Sequence, residues 1–146
     1  MRSIKRYYER GCIMKKLDSL LKKTEYTVLY GDATAEITSL VYDSRKACEG
    51  CVFVCLRGAN SDGHIYATEV AAAGAAAIII EDPALLPDEK PDCVIIQVRD
   101  TREALAYMSA AFFDYPADSL QIVGITGTKG KTTTTYMIRE ALAAAG

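Results

Sequence analysis

The sequence has no tryptophan, only one histidine, and just four prolines and three phenylalanines among its 146 residues. It also has no uninterrupted apolar run of the roughly 18–20 residues that a membrane-spanning helix requires. The longest candidate, residues 70–80, is interrupted by Gly74. With 17 basic and 19 acidic residues the net charge is -2, which argues against a large nucleic-acid surface. We therefore expect a folded globular protein that neither binds nucleic acid nor inserts into a membrane.

Cysteine occurs five times, an odd number, and no apolar stretch of the secretory type follows the basic residues of the first ten positions. We therefore expect reduced thiols and a cytoplasmic protein. Cys48-x-x-Cys51 has a spacing found in zinc and redox sites, but no second Cys or His pair at metal spacing accompanies it. The alternation of Cys51, Phe53 and Cys55 favours a buried strand instead.

Short apolar strands alternate with helical patterns from Met14 to Tyr115, which predicts an α/β fold with parallel strand pairings. Residues 1–13 are a basic lead that we predict to be disordered or to precede the natural start at Met14. Thr101 is the predicted N-cap of the longest helix in this region. We predict helices at 17–21, 65–73 and 101–113, and strands at 27–30, 37–42, 52–56, 76–80 and 93–98.

A second domain begins after Pro116-Ala117-Asp118, which has the composition of a linker. We therefore expect one domain over residues 14–116 and the start of another over 117–146. A strand predicted at 120–125 leads into a loop rich in glycine and threonine, and a helix is predicted at 132–145. Strand, glycine-rich loop and helix in this order are typical of a phosphate-binding P-loop.

The loop has the residues needed to hold a nucleoside triphosphate, most simply ATP. Its glycines let successive amide groups point into one cavity, and the helix amino terminus adds its positive dipole end. Lys131 would approach the β- and γ-phosphates, and the Thr132 hydroxyl would ligate Mg²⁺. Ile125 stands where the general pattern has its first glycine, so this is a variant P-loop. The predicted ATP-binding residues are Gly127, Thr128, Lys129, Gly130, Lys131, Thr132 and Thr133.

The form Thr-Gly-Thr-x-Gly-Lys-Thr-Thr, at residues 126–133, resembles the loop of the Mur ligases, the ATP-dependent amino-acid ligases of peptidoglycan precursor synthesis. Folylpolyglutamate synthases share this loop but lack the domain that precedes it here. That domain is similar to the amino-terminal domain of MurE- and MurF-type ligases. The short helix after Met14 and the form of the loop favour the MurE type, with MurF as the alternative. The resemblance rests on Tyr42-Asp43-Ser44-Arg45, Val52-Phe53-Val54, Asp62-Gly63-His64 and Ala72-x-Gly74-Ala75, and it covers nearly all of residues 14–146.

The resemblance implies a mixed-sheet α/β domain that binds a UDP-sugar, followed by the first strand, P-loop and helix of an ATPase domain. It implies that ATP phosphorylates the terminal carboxylate of UDP-N-acetylmuramoyl-L-alanyl-D-glutamate and that an amino acid attacks the acyl phosphate. The amino acid would be meso-diaminopimelate or L-lysine, and the full-length enzyme would be a monomer. Lys131 would be the catalytic residue and Thr132 a Mg²⁺ ligand. The UDP end would meet Tyr42, Ser44, Arg45 and Asn60, with Ala59 and Ser61 beside Asn60.

Other interpretations of the same residues remain open at this point. Asp43-Ser44-Arg45 also fits a turn at a strand end with a local salt bridge, and Asp62-Gly63-His64 fits a turn and helix cap in which His64 is structural. A non-catalytic UDP-sugar-binding module with a vestigial P-loop is a different functional hypothesis. Because the sequence ends one helix after the loop, we expect a fragment that is inactive alone. Its last strand and helix would expose apolar side chains, namely Ile122, Val123, Ile125, Met137, Ile138 and Leu142.

Overall fold

The computed structural model describes residues 14–58, 61–86 and 92–145, and it divides the chain into two units on either side of the Tyr115–Pro116 bond. The lead predicted at residues 1–13 lies outside the described residues. The first unit contains helices α1 (Leu17–Leu20), α2 (Ala67–Ala72) and α3 (Thr101–Phe112). Its strands are β1 (Lys15–Lys16), β2 (Tyr26–Tyr30), β3 (Glu36–Ile37), β4 (Ser39–Val41), β5 (Cys51–Val54), β6 (Ala77–Ile80) and β7 (Val94–Val98).

The main sheet has five strands in the order β2-β7-β6-β5-β4. Strands β4 to β7 run parallel, with Val52 of β5 opposite both Leu40 and Ala77, while β2 pairs antiparallel with β7. The sheet is therefore mixed, which confirms the fold class implied by the resemblance. A separate two-stranded sheet pairs β1 with β3.

Apolar side chains cover both faces of this sheet, because successive residues of a strand point to opposite sides. On one face α1 and α3 pack against residues that include Val52, Ile79 and Ile96. On the other face α2 covers a second cluster that includes Phe53 and Ile78. Burying one such side chain contributes about 1.5–3 kcal/mol, so these two clusters hold the layers together.

The predicted strand at 37–42 is wrong as a single element, since the chain changes sheets at Thr38. Residues 36–37 pair with β1, whereas residues 39–41 pair with β5. Between them the Thr38 amide donates to the Gly50 carbonyl over 2.9 Å. One continuous strand and two strands in different sheets give the same alternating apolar pattern, because the pattern depends on burial and not on the partner strand.

The N-cap of α3 is Asp100 and not Thr101. The Asp100 carboxylate accepts hydrogen bonds from the amides of Arg102 (2.8 Å) and Glu103 (3.0 Å). Thr101 is instead buried, and its hydroxyl donates to the Glu81 carboxylate over 2.8 Å. Both residue types cap helices well, and the contact with Glu81 decides which of them does so here.

The predicted helix at 65–73 is a 3₁₀ turn over residues 63–66 followed by the short α2. Asp62 caps this turn by accepting from the His64 amide (3.0 Å) and from His64 Nδ1 (2.5 Å). His64 is buried, and its Nε2 accepts from the Glu81 amide over 3.2 Å, so the ring proton sits on Nδ1. The turn-and-cap interpretation is therefore the one that the structure shows.

The second unit consists of a 3₁₀ turn at Pro116–Ser119 and helix α4 (Lys131–Ala145). The strand predicted at 120–125 is wrong, since these residues pair with no strand in the part of the chain that the structure describes. A strand exists only where a neighbour completes its hydrogen-bond ladder. Apolar side chains of this unit are 66–72% exposed, as expected, at Ile122, Val123, Met137 and Leu142, whereas Ile125 and Ile138 are half-buried.

Gly63→Ala is expected to destabilise the first unit by about 1–3 kcal/mol, the usual cost of forcing extra atoms into a packed site. An added Cβ would lie 2.8 Å from the Leu56 nitrogen and 3.0 Å from Cys55 Cα, and both are backbone atoms. Urea denaturation measures the change. Gly124→Ala is the control, because a Cβ there meets nothing within 4 Å. Equal stability of the two variants would contradict the close approach at Gly63.

Asp62→Asn is expected to lower the free energy of unfolding at neutral pH. In acid the variant and wild type should be equally stable, because wild type then loses the charge of Asp62 as well. Burial alone would raise the pKa of Asp62, but hydrogen bonds from His64 and the charge of Arg57 outweigh it and hold that pKa below its ordinary value of 3.8. The contribution is therefore complete above that value and disappears as pH falls through the lowered folded pKa.

The measurement is the difference in unfolding free energy between wild type and Asp62→Asn, which should narrow as the pH falls from about 5 to about 2. Asp18→Asn, at an exposed position on α1, controls for the loss of one surface charge. A difference that stays constant over this range would show that the Asp62 charge does not stabilise the fold.

Candidate substrate-binding edge and phosphate-binding loop

Polar residues follow the carboxyl ends of the four parallel strands, and these ends share one edge of the sheet. Tyr42 follows β4, Arg57 comes shortly after β5, Glu81 follows β6 and Arg99 follows β7. In open α/β sheets, ligands bind in the crevice outside this edge. The edge is therefore the first place to look for a substrate site.

The turn after β4 brings together three of the four residues predicted to meet the UDP end. Ser44 and Arg45 begin a 3₁₀ turn that Asp43 caps by accepting from the Arg45 amide. The Arg45 guanidinium also donates from Nε (2.9 Å) and Nη2 (2.8 Å) to the two carboxylate oxygens of Asp43. These hydrogen bonds are the main cause that lowers the pKa of Asp43. The local salt bridge anticipated as an alternative is thus present.

The salt bridge leaves much of this turn open to solvent. Tyr42 is 61% exposed, and the Arg45 side chain is 87% exposed even with its ion pair. The Ser44 hydroxyl has no hydrogen-bond partner among the residues that the structure describes. The exposed phenol and guanidinium, together with the half-buried Ser44 hydroxyl of the same turn, can bind the polar edge of a pyrimidine and a phosphate.

A hairpin after β5 lies next to this turn, because β4 and β5 are neighbouring parallel strands. Its stem is closed by the Gly63 amide donating to Leu56 O (2.9 Å) and by the Gly58 amide donating to Ser61 O (2.8 Å). The predicted contact Asn60, with Ala59, lies outside the described residues. Ser61 is described, and its hydroxyl is 3.5 Å from the Tyr66 hydroxyl.

Sequence reasoning missed two residues of this edge, Tyr66 and Arg57. The Tyr66 phenol lies close enough to Arg45 to add to the effect of Asp43 in raising the pKa of that guanidinium. Arg57 faces carboxylates of Asp62, Glu81 and Asp82 at 3.5–4.0 Å. The available signal was that charged residues follow the ends of two neighbouring strands, β5 and β6.

The P-loop residues lie together at the amino end of α4, in the second unit. Gly127 and Gly130 have φ angles of +148° and +80°, which residues with a Cβ rarely adopt. Lys131 Nζ donates to the Gly127 carbonyl over 2.6 Å, so the lysine folds back over the loop. The first hydrogen bond into the helix runs from the Thr134 amide to Gly130 O.

The amides of Lys131, Thr132 and Thr133 have no acceptor in the described part of the chain. Together with two lysines, Lys129 and Lys131, they form the set of donors that an oligophosphate requires. Thr128 and Gly130 lie between Gly127 and these residues and complete the loop.

The residues present also fit a magnesium ion bound with a nucleotide. Mg²⁺ is held through one or two protein oxygens, with phosphate oxygens and water completing its shell. Thr132 is exposed on the first turn of α4 and offers one such oxygen. Among residues 14–58, 61–86 and 92–145, no three His, Cys, Asp or Glu side chains cluster to hold a metal by themselves. A Mg²⁺ ion at Thr132 would share its coordination shell with the phosphates of the nucleotide.

None of the helices in the described ranges combines the length and the apolar character needed to cross a membrane.

Comparison of the sequence with known proteins gives relatives that are named as UDP-N-acetylmuramoyl-L-alanyl-D-glutamate–2,6-diaminopimelate ligases. The chain is 40% identical over 131 residues to the UDP-N-acetylmuramoyl-L-alanyl-D-glutamate–2,6-diaminopimelate ligase 1 of Clostridium acetobutylicum. The match covers 90% of this chain but 27% of the relative. The chain thus spans about a quarter of the length of the curated relatives it matches.

Solved structures of MurF ligases have a similar fold. A crystal structure of MurF from Acinetobacter baumannii matches 90% of this chain and 28% of its own, with a TM-score of 0.61 and 28% identity. MurF ligase from Thermotoga maritima in complex with ADP matches 66% of this chain and 21% of its own, with a TM-score of 0.51 and 33% identity. The family model described as Mur ligase family, catalytic domain, matches residues 36–113, just over half of the chain. By its sequence, its mixed sheet and its P-loop, the chain belongs to the Mur ligase family.

Proposed function

We propose that this chain is the substrate-binding and phosphate-binding portion of an ATP-dependent ligase of peptidoglycan precursor synthesis. The reaction would join meso-diaminopimelate or L-lysine to the terminal carboxylate of UDP-N-acetylmuramoyl-L-alanyl-D-glutamate. The observation that carries the proposal is that one chain contains two features. The first unit has an exposed turn at the carboxyl ends of its parallel strands, and the second unit has a P-loop. A UDP-sugar and ATP are both cytoplasmic metabolites of such a pathway, so we propose a cytoplasmic protein.

The UDP end of the substrate is assigned to the turn after β4. Exposure of Tyr42 and Arg45 and the free hydroxyl of Ser44 support this assignment. Ser44 would hydrogen-bond to the pyrimidine, while Arg45, held in place by Asp43, would pair with a phosphate. Tyr42 would cover the ring. Because Asp43 already neutralises part of the guanidinium charge, Ser44 should account for more of the affinity than Arg45.

ATP is assigned to the loop at residues 127–133. Its amides and the dipole of α4 would bind the phosphates, and Lys131 would leave the Gly127 carbonyl to approach the γ-phosphate. There its charge would stabilise the negative charge that builds up as the phosphoryl group moves to the substrate carboxylate. A bound Mg²⁺ would add further charge stabilisation beside Thr132. The ADP in the Thermotoga maritima MurF complex supports the choice of adenine nucleotide.

The MurE type of reaction is favoured over the MurF type by the sequence comparison. The relative at 40% identity is named for the addition of diaminopimelate to the dipeptide, whereas the MurF structures share 28% and 33% of their residues with this chain. The higher identity, over nearly the whole chain, supports the substrate class of the diaminopimelate-adding relative.

Ser44→Ala is expected to weaken binding of uridine diphosphate about tenfold, because a hydrogen bond worth about 1–1.5 kcal/mol is lost. Isothermal titration calorimetry or an NMR titration of the chain measures the dissociation constant. Ser39→Ala is the matched control: Ser39 begins the same strand, at the opposite edge of the sheet. Unchanged affinity in Ser44→Ala would mean that the pyrimidine binds elsewhere.

Lys131→Ala is expected to weaken ATP binding at least tenfold, since a charge-assisted contact contributes about 1.5–3 kcal/mol. Binding is followed with a fluorescent ATP analogue in the presence of Mg²⁺, with Lys22→Ala, an exposed lysine of the first unit, as the control. In a protein of the relatives' full length that carries this chain, the same substitution should abolish phosphate release. Wild-type ATP affinity in Lys131→Ala would contradict the P-loop assignment.

A further inference from the structure

Arg57 lies among three carboxylates at the edge of the sheet where β4 to β7 end. Its Nε is 3.5 Å from Asp62 Oδ2 and 3.7 Å from Glu81 Oε2, and its Nη2 is 4.0 Å from Asp82 Oδ2. The side chain is about half exposed, and these carboxylates are the contacts that the described part of the chain gives its guanidinium. The charges of the three acids are what hold it there.

In each of these three carboxylates one oxygen accepts hydrogen bonds and the other faces Arg57. Asp62 Oδ1 accepts from the amide and ring of His64, and Asp82 Oδ1 accepts from the amide of Ala84. Glu81 Oε1 accepts from the amide and hydroxyl of Thr101. One oxygen thus binds a neighbouring element, and the other is left for Arg57.

Each acid is therefore anchored through one oxygen, and Arg57 is the cation that the three remaining oxygens share. Asp62 lies on the return of the hairpin, whereas Glu81 and Asp82 follow β6. Arg57 and Asp62 also face each other as an isolated antiparallel bridge in the hairpin stem. The backbone of Arg57 is held from a further side, because Arg102 Nη2 of α3 donates to its carbonyl over 2.6 Å.

We propose that Arg57 is a positioning residue for uridine recognition: it holds the hairpin stem, residues 56–58 and 61–63, against the end of β6, beside the Tyr42–Arg45 turn. This inference rests on the proposed function, since it needs the pyrimidine to bind at that turn. The stem and the turn follow neighbouring strands, and Ser61 reaches the Tyr66 hydroxyl on the side of Arg45.

Arg57 is not assigned a phosphate. Three carboxylates surround its single positive charge, so the field at the guanidinium opposes a further anion. If Arg57 were removed, three carboxylate oxygens would converge without a cation and would repel one another. The hairpin would then shift away from β6, and the wall of the uridine site would move with it.

The test compares dissociation constants for uridine and for uridine diphosphate, measured by NMR titration of the whole 146-residue chain in wild type, Arg57→Met and Arg57→Lys. Arg57→Met should weaken both ligands by the same factor, about fivefold. Arg57→Lys should bind within twofold of wild type, because ion pairs of 3.5–4.0 Å need a charge more than a guanidinium fork. Arg139→Met, which removes an exposed arginine of α4 in the second unit, should bind like wild type.

The outcomes separate the possible roles of Arg57. A loss confined to uridine diphosphate would show that Arg57 contacts a phosphate, and it would overturn the positioning role. So would an Arg57→Met variant that binds both ligands as wild type does, or an Arg57→Lys variant as weak as Arg57→Met. Thermal unfolding of each variant is recorded alongside, and if Arg57→Met does not fold, the test rests on Arg57→Lys alone. If wild type itself binds neither ligand, the proposed function of this edge fails, and the inference fails with it.

Discussion

The parallel pairing of β4, β5, β6 and β7 is the constraint on which the rest of the first unit depends. Parallel strands must be joined by crossovers, so every connection returns to the amino edge and every strand ends at the carboxyl edge. Residues far apart in sequence, such as Ser44, Arg57 and Glu81, therefore reach the same edge. The crossover helix α2 covers one face of the sheet, and α1 and α3, from outside the parallel strands, cover the other, which explains why β5 and β6 are buried along their whole length.

The polar residues at the carboxyl ends of the parallel strands are of two kinds, which differ in whether their side chains already have hydrogen-bond partners. His64, Glu81 and Thr101 are tied to one another, and they join the ends of β5 and β6 to the start of α3. Tyr42 and Ser44 have no such ties in the described part of the chain; Tyr42 is exposed and Ser44 is half-buried. Groups whose hydrogen bonds are already made stabilise the fold, while groups with free hydrogen-bonding capacity are available to a ligand. Arg57 belongs with the first set, since it faces Glu81 and Asp62.

The second unit shows what a P-loop can form from local sequence and what it cannot. The glycine conformations, the helix and the fold-back of Lys131 all arise within residues 127–145. A strand before the loop does not arise in this way, because its hydrogen bonds must come from another strand. The exposed Ile122 and Val123 show where such a neighbour would pack.

The sequence alone determined the α/β class, most element positions and the glycine-rich loop before α4, because each depends on residues close together in the chain. The place of the turn after β4 in the candidate site came from the family resemblance and stays a prediction. It did not determine that Asp100 caps α3, that the chain changes sheets at Thr38, or that Arg57 faces three acids. These features depend on contacts between residues that only the strand order brings together, such as Thr101 with Glu81. Local patterns record which side chains are buried or flexible, whereas the tertiary structure decided which partner each polar group meets.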